Sequence, residues 1–198
     1  IKLGGTPIRD NNSDFMYKNM MEKFVFGGAE RLGVYFDEEN RRHLLSIREA
    51  FGEAAGNLAD KNRKPDAKNL IERCEKNLLT ENFPYAMTSR YNSHNQTALI
   101  YLEACYKTGM AELAEKVRLN IRKDLEQQKK YYDYLRTERE DLYKSITTEY
   151  EINERLLIIL NAIEKKYAPQ SQPKTIIEGN NPAILNKAAD SVKKDTNK

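Results

Sequence analysis

The chain of 198 residues contains few cysteines, prolines and glycines. Its two cysteines form no Cys-x-x-Cys pair, which counts against a thiolate zinc site or a dithiol redox motif. Long apolar runs are missing as well. The longest are five residues, Ala98–Leu102 and Leu156–Leu160, whereas a membrane helix needs about 20. No segment here is therefore expected to insert into a bilayer. Neither sign of charge dominates: 33 Lys and Arg face 30 Asp and Glu, a net charge of +3. A dedicated nucleic-acid binder would carry a strong basic excess. The chain opens without an initiator methionine or a signal-peptide pattern, so its start at Ile1 reads as a cut within a larger protein. What remains is polar and of one-domain length, with 32% charged residues and a mean hydropathy of −0.80.

The nine glycines and six prolines cluster, and between the clusters apolar residues recur at steps of three and four. No alternating strand pattern is evident, so the expected class is all-α. Residues 1–13 read as an irregular N-terminal lead-in. Asp14 is placed to cap a first helix that ends at Gly27-Gly28. Asp37 caps a second helix, reaching about Lys61, with Leu44, Ile47, Phe51, Ala54, Ala55 and Leu58 on one face. Pro65 opens a third helix carrying Ala67, Leu70, Ile71 and Cys74. An Asn-, Ser- and Thr-rich connection over 80–95 precedes a fourth helix, about 95–107, ended by Gly109. A fifth begins near Met110 and runs on to Leu135. A long last helix is expected over 138–167. Residues 169–198 read as a flexible polar tail, leaving 14–168 as the helical domain.

The second and third helices align with the fourth and fifth at an offset of 47 residues. Ala55, Leu58, Asn62, Ala67, Ile71 and Cys74 match Leu102, Cys105, Gly109, Ala114, Arg118 and Ile121. Small residues at Ala67 and Ala114 permit close approach within each pair, and Asn62 and Gly109 fall at turns that favour left-handed backbone. The pattern suits stacked helical hairpins of tetratricopeptide-like type. The offset exceeds the ~34 residues of true tetratricopeptide repeats, and their aromatic signature is mostly absent. Stacked hairpins leave grooves suited to peptide or protein partners.

No constellation of catalytic groups stands out. His43 and His94 lie far apart, and neither has a ligand-type partner three or four residues on. Cys74 and Cys105 fall on inward helix faces, where free thiols pack as small hydrophobes; a disulfide between them stays open in an oxidising compartment. Gly27-Gly28 lacks the Lys-Ser/Thr of a phosphate loop. Glu38-Glu39 and Glu138/Glu140 suit solvated faces better than acid–base chemistry. The mixed stretch Lys129–Tyr134 reads as Tyr131 and Leu135 packing inward with the lysines in water. Asn11-Asn12-Ser13 and Asn95-Gln96-Thr97 match the N-glycosylation pattern. The most distinctive stretch is Asp14–Arg42, dense in Met and aromatic residues. It either caps the helical stack or forms a docking surface around Tyr17, Lys23, Tyr35, Asp37, Arg41 and Arg42.

Four segments of the chain carry a resemblance: Met16–Phe24, Val34–Arg42, Leu78–Tyr85 and Glu103–Gly109. In this order they resemble a family of polytopic membrane proteins of Bacteroidetes, now grouped with membrane-embedded protein O-mannosyltransferases. The resemblance spans about 14–135, and Phe26-Gly27-Gly28 departs from the family's aromatic-Gly-Asn form. It implies a soluble C-terminal domain with tetratricopeptide-like helices on the extracytoplasmic, periplasmic face of the inner membrane. It implies no catalytic residue in this chain, because the family's sugar-transfer site lies in the membrane part. No cofactor or metal is implied. The implied role is accessory, with the protein's own membrane part, an acceptor or a partner protein as what it holds. The alternative is a free-standing tetratricopeptide-type scaffold or adaptor. Asp190-Ser191-Val192 resembles a Bacteroidetes O-glycosylation acceptor.

Overall fold

The computed structural model describes residues 12–167. Every regular element among them is helical, as the apolar spacing predicts: α1 (Ser13–Glu22), α2 (Glu38–Asp60), α3 (Lys64–Asn77), a 3-10 turn (Arg90–Asn92), α4 (Ser93–Lys107), α5 (Ala111–Glu138), α6 (Glu140–Tyr143) and α7 (Thr147–Tyr167). The readings made of the lead-in, the polar tail, Asn11 and Asp190-Ser191-Val192 lie outside the described residues.

α1 starts two residues earlier than expected, because Asn12 rather than Asp14 caps it. The Asn12 Oδ1 accepts the N–H groups of Asp14 and Phe15, each at 3.1 Å. The helix also stops at Glu22, not at Gly27-Gly28. Beyond it the chain unwinds so that Phe24 and Phe26 reach the Phe51 ring, at centroid distances of 5.6 and 5.5 Å. A continued helix would point residues 24 and 26 some 200° apart, and the two rings could not share one target. α2 begins as read. The Asp37 Oδ1 accepts the Asn40 N–H at 2.8 Å, and the Asn40 side chain donates back to the other carboxylate oxygen at 3.1 Å.

The 47-residue offset is repeated bond for bond at the two turns. Asn62 (φ 63°) and Gly109 (φ 78°) are both left-handed. The Arg63 N–H reaches back to the Leu58 carbonyl at 2.8 Å, and the Met110 N–H to that of Cys105 at 3.0 Å. These six-to-one bonds close matching Schellman turns, which satisfy carbonyls that a helix end leaves free. Ala67 and Ala114 are fully buried. α2 packs most extensively on α4 and then on α3, α4 packs on α5, and α7 lies against α5 and α4. α2 and α4 come close together at Gly52, where a Cβ would sit 3.1 Å from the Tyr101 Cα.

The expected last helix is divided. Arg139 takes φ −144° and ψ 64°, ending α5, and α7 starts only at Thr147. The intervening Ser145-Ile146-Thr147 stretch is poor in helix formers, and the Thr147 hydroxyl bonds the Tyr143 carbonyl at 3.2 Å instead. Leu142 is consequently exposed, and the α7 stripe runs Asn153, Leu156, Leu160, Ile163. Arg118 and Arg122 of α5 both bond Glu164, and Glu103 of α4 accepts the Lys166 ammonium and the Tyr167 hydroxyl, each at 2.9 Å. These contacts fasten the end of α7 to both neighbouring helices.

Candidate interaction surface

The six residues singled out in the sequence do not form one patch. The Tyr17 hydroxyl accepts from Asn69 Nδ2 at 3.0 Å, and its ring lies 5.8 Å from the Arg63 guanidinium. Arg63 follows the C-terminal end of α2 and pairs with Asp14 and Asp66. Asp37, Arg41 and Arg42 belong to the opposite end of α2, a helix about 33 Å long at 1.5 Å per residue. Tyr17 is thus a structural contact between α1 and α3. Asp37 acts as a cap. Arg42 pairs with Glu39 at 2.5 Å. Arg41 is half-buried, and its Nε is shielded from water with no hydrogen-bond partner. Lys23 is the exposed residue closing α1.

Tyr35 belongs to a loop, residues 23–37, whose inner side is firmly held. Arg73 donates to the Phe24 carbonyl at 3.0 Å, Asn82 donates to that of Arg31 at 3.1 Å, and Phe26 and Ala29 are buried. Phe36 meets Phe83 at 4.9 Å. On the outer side Val25 is 80% exposed, Leu32 73% and Tyr35 86%. Large apolar side chains therefore stand in water on an anchored backbone.

Sequence reading missed a buried polar cluster beneath the neighbouring connection. Arg48, 3% exposed, donates to the carbonyls of Phe83 (2.7 Å), Pro84 (3.0 Å) and Leu78 (3.4 Å). Its guanidinium lies 5.0 Å from the Tyr85 ring. The Tyr85 and Tyr101 hydroxyls both donate to the Glu75 carboxylate, Tyr101 at 2.7 Å. Burial first, then the Glu75 charge, pushes the Tyr85 phenol well above its ordinary range; burial does the same for Tyr101. Both phenols are consequently neutral donors at physiological pH. The adjoining Cys74 and Cys105 are free and buried. Burial pushes the Cys74 thiol up to about 12 and raises Cys105 well above its usual value, so neither supplies a thiolate nucleophile near neutrality. Above the cluster, Thr80, Glu81, Pro84, Tyr85, Lys116 and Asn120 line an open cleft of about 250 Å³.

A second polar cluster joins the 3-10 turn to α4 and α5. Asn95 is fully buried, and its Nδ2 donates to Asn92 Oδ1 and Asp124 Oδ2, each at 2.7 Å. That burial removes Asn95-Gln96-Thr97 as a glycosylation site on the folded chain. Burial also lowers the His94 pKa, leaving it neutral near pH 7. On α5 the inward tyrosine is Tyr132, not Tyr131, which is 56% exposed. The stripe runs Leu125, Gln128, Tyr132, Leu135, and Lys129 bonds Glu154 of α7 at 2.6 Å. One signal could have found both clusters: Arg48, Asn95, Gln128 and Asn153 occupy stripe positions where helical spacing calls for an apolar residue.

Among the described residues no group of three His, Cys, Asp or Glu side chains is placed to hold a metal ion. No helix among them is long and apolar enough to cross a membrane. Compared with known protein families, curated proteins and solved structures, the chain matches none of them.

Proposed function

We propose that this chain is a non-catalytic accessory domain of a membrane protein similar to protein O-mannosyltransferases. Acting on the extracytoplasmic face, it holds an acceptor protein, a partner protein or the enzyme's own membrane part. The observation that carries this reading is the anchored loop. Its inner residues Phe26 and Ala29 are buried, while Val25, Leu32 and Tyr35 stand exposed without a covering element among the described residues. Exposed apolar residues scattered singly are ordinary in a monomer, and three carried by one short anchored loop are more than that scatter gives. Two segments that carry the family resemblance meet beside this loop, through Phe36 and Phe83. The buried tyrosines and thiols are engaged in packing and held in their neutral forms, which suits a structural part better than a reactive centre.

Deleting the domain from the full-length protein tests the proposal. Sugar transfer by the full-length protein should fall, and the isolated domain should transfer none. Full activity after deletion would refute the accessory role. A double substitution, Leu32→Ser with Tyr35→Ser, should weaken attachment to the membrane part or partner while leaving the melting temperature unchanged.

The repeated turn geometry at Asn62 and Gly109 favours a second reading, a free-standing tetratricopeptide-type scaffold that binds protein partners. The upstream reading frame separates the two. Several hydrophobic segments of about 20 residues ahead of Ile1 belong to the first reading, and their absence belongs to the second.

A further inference from the structure

Two consecutive residues of the 3-10 turn, Tyr91 (φ 52°, ψ 22°) and Asn92 (φ 53°, ψ 32°), are left-handed. Asparagine tolerates this conformation, but for a bulky side chain such as tyrosine it is an outlier. The surroundings fix it in place. The Asn92 N–H donates to the Ser89 carbonyl at 2.8 Å, and Gln96 Nε2 donates to the Tyr91 carbonyl at 2.8 Å. Asn92 is buried, and its Nδ2 donates to Gln128 Oε1 at 3.0 Å. Gln128 in turn donates to Asp124 at 2.6 Å and accepts the Tyr132 hydroxyl at 3.2 Å.

All this holds a side chain that contributes little to the core. Tyr91 is 47% exposed, and its ring carries the Arg90 guanidinium 4.9 Å from its centroid. Arg90 Nη2 also donates to the Tyr91 hydroxyl at 3.2 Å. Among the described residues no carboxylate pairs with Arg90. Were the turn alone at stake, glycine would form it with less strain. Strain retained at an exposed aromatic points to recognition rather than folding.

We propose that Arg90 and Tyr91 form a preformed anchor for a partner polypeptide that presents a carboxylate beside an apolar side chain. Arg90 takes the carboxylate, and the exposed part of the Tyr91 ring covers the apolar group. Arginine and tyrosine dominate binding hot spots, and a fixed backbone reduces the entropy lost on binding. The unpaired guanidinium is what selects an acidic partner over a neutral one. The inference rests on the reading of the chain as an interaction domain and names its partner's chemistry.

The test uses the whole chain and two labelled dodecapeptides rich in glycine and serine. One carries two Glu-Leu pairs, the other two Gln-Leu pairs, and binding is read by fluorescence anisotropy. At low salt the Glu peptide should bind about fivefold tighter than the Gln peptide, and Arg90→Gln should abolish the difference. Tyr91→Gly should raise the melting temperature, because glycine relieves the left-handed strain, and should weaken binding of both peptides. Equal binding of the two peptides, or no binding of either, overturns the proposal. So does a Tyr91→Gly chain that binds as wild type does, or one that melts lower. None of these outcomes bears on the domain-deletion test, which reads sugar transfer by the full-length protein.

Discussion

Replacing Arg48 with methionine puts the buried cluster to a quantitative test. Methionine keeps an unbranched stem of similar girth, so the perturbation is the loss of the guanidinium rather than of volume. Three carbonyls then lose their donor, two of them at good hydrogen-bond distances of 2.7 and 3.0 Å and one at 3.4 Å. A buried carbonyl left unsatisfied costs about 1–3 kcal/mol. The long bond to Leu78 counts at the low end. The Tyr85 ring also loses one of its two cations, with the Lys116 ammonium remaining 5.5 Å from the centroid, a loss of up to about 1 kcal/mol when partly desolvated. Against these losses, a buried charge no longer needs to be kept from water, which returns part of the sum. The net expectation is about 3 kcal/mol, a large fraction of the ~5–15 kcal/mol that holds a domain together. For a chain of this size that corresponds to a fall in melting temperature of roughly 6–12 °C. Thermal melting followed by circular dichroism measures it, and limited proteolysis should show new cleavage within residues 79–84. Arg48→Lys keeps the charge but cannot span three carbonyls, so it should fall between wild type and Arg48→Met. A loss below about 1 kcal/mol in the methionine variant, with the loop still protected, would refute the claim that Arg48 holds this connection in place.

Two glycines of α2 should respond in opposite directions. Gly56→Ala meets nothing within 4 Å and should stabilise by up to about 1 kcal/mol through helix propensity, whereas Gly52→Ala meets the Tyr101 backbone at 3.1 Å and should destabilise despite that gain; urea titration of both variants decides it. Burial raises Glu164, but hydrogen bonds from Arg122 and then Arg118 outweigh that and hold it below its ordinary value. Its contribution is present above the unfolded value near 4.5 and is lost as pH falls through the lower folded value, so the protection of α7 amides against hydrogen exchange, taken relative to the intrinsic rate at each pH, should fall below about pH 4.5 in wild type, and less so in Glu164→Gln. Because Tyr85 and Tyr101 are raised, unfolding releases protons above pH 10, and stability should decline as pH climbs past that point; a flat alkaline melting profile would contradict the buried phenol arrangement. Cys74 and Cys105 should react slowly with a thiol reagent in the native chain and count as two thiols after denaturation without reductant.

Much of the fold was legible in the sequence because helices report themselves locally. The stripes of α2, α3 and α4 were read nearly residue by residue, since one helix face repeats every three or four positions whatever it packs against. The left-handed turns at Asn62 and Gly109 were legible for a similar reason: few residue types tolerate that backbone. Boundaries that depend on distant partners carry no such local signal. α1 ends early because Phe24 and Phe26 are drawn to Phe51, a partner about 25 positions away in the chain. The division between α5 and α7 has a local cause instead, a stretch at Ser145-Ile146-Thr147 that is poor in helix formers.

The candidate site was legible only in part. Aromatic density drew attention to the segment before α2, and its loop does expose Tyr35. It could not reveal that Tyr17 lies at the other end of α2, because separation in space along a folded helix is not separation in sequence. The sequence by itself determined the all-helical class, the repeated turns and the inward faces of α2, α3 and α4, all consequences of short-range backbone geometry and hydrophobic periodicity, whereas it misplaced the inward tyrosine of α5 and the start of the last stripe. Only the tertiary structure decided which polar residues are buried together and which aromatic side chains are left in water. Arg48, Glu75, Tyr85 and Tyr101 come from α2, α3, α4 and the connection between them. A buried charge or phenol is tolerable only where partners from separate elements converge on it, and that convergence exists only once the helices have packed.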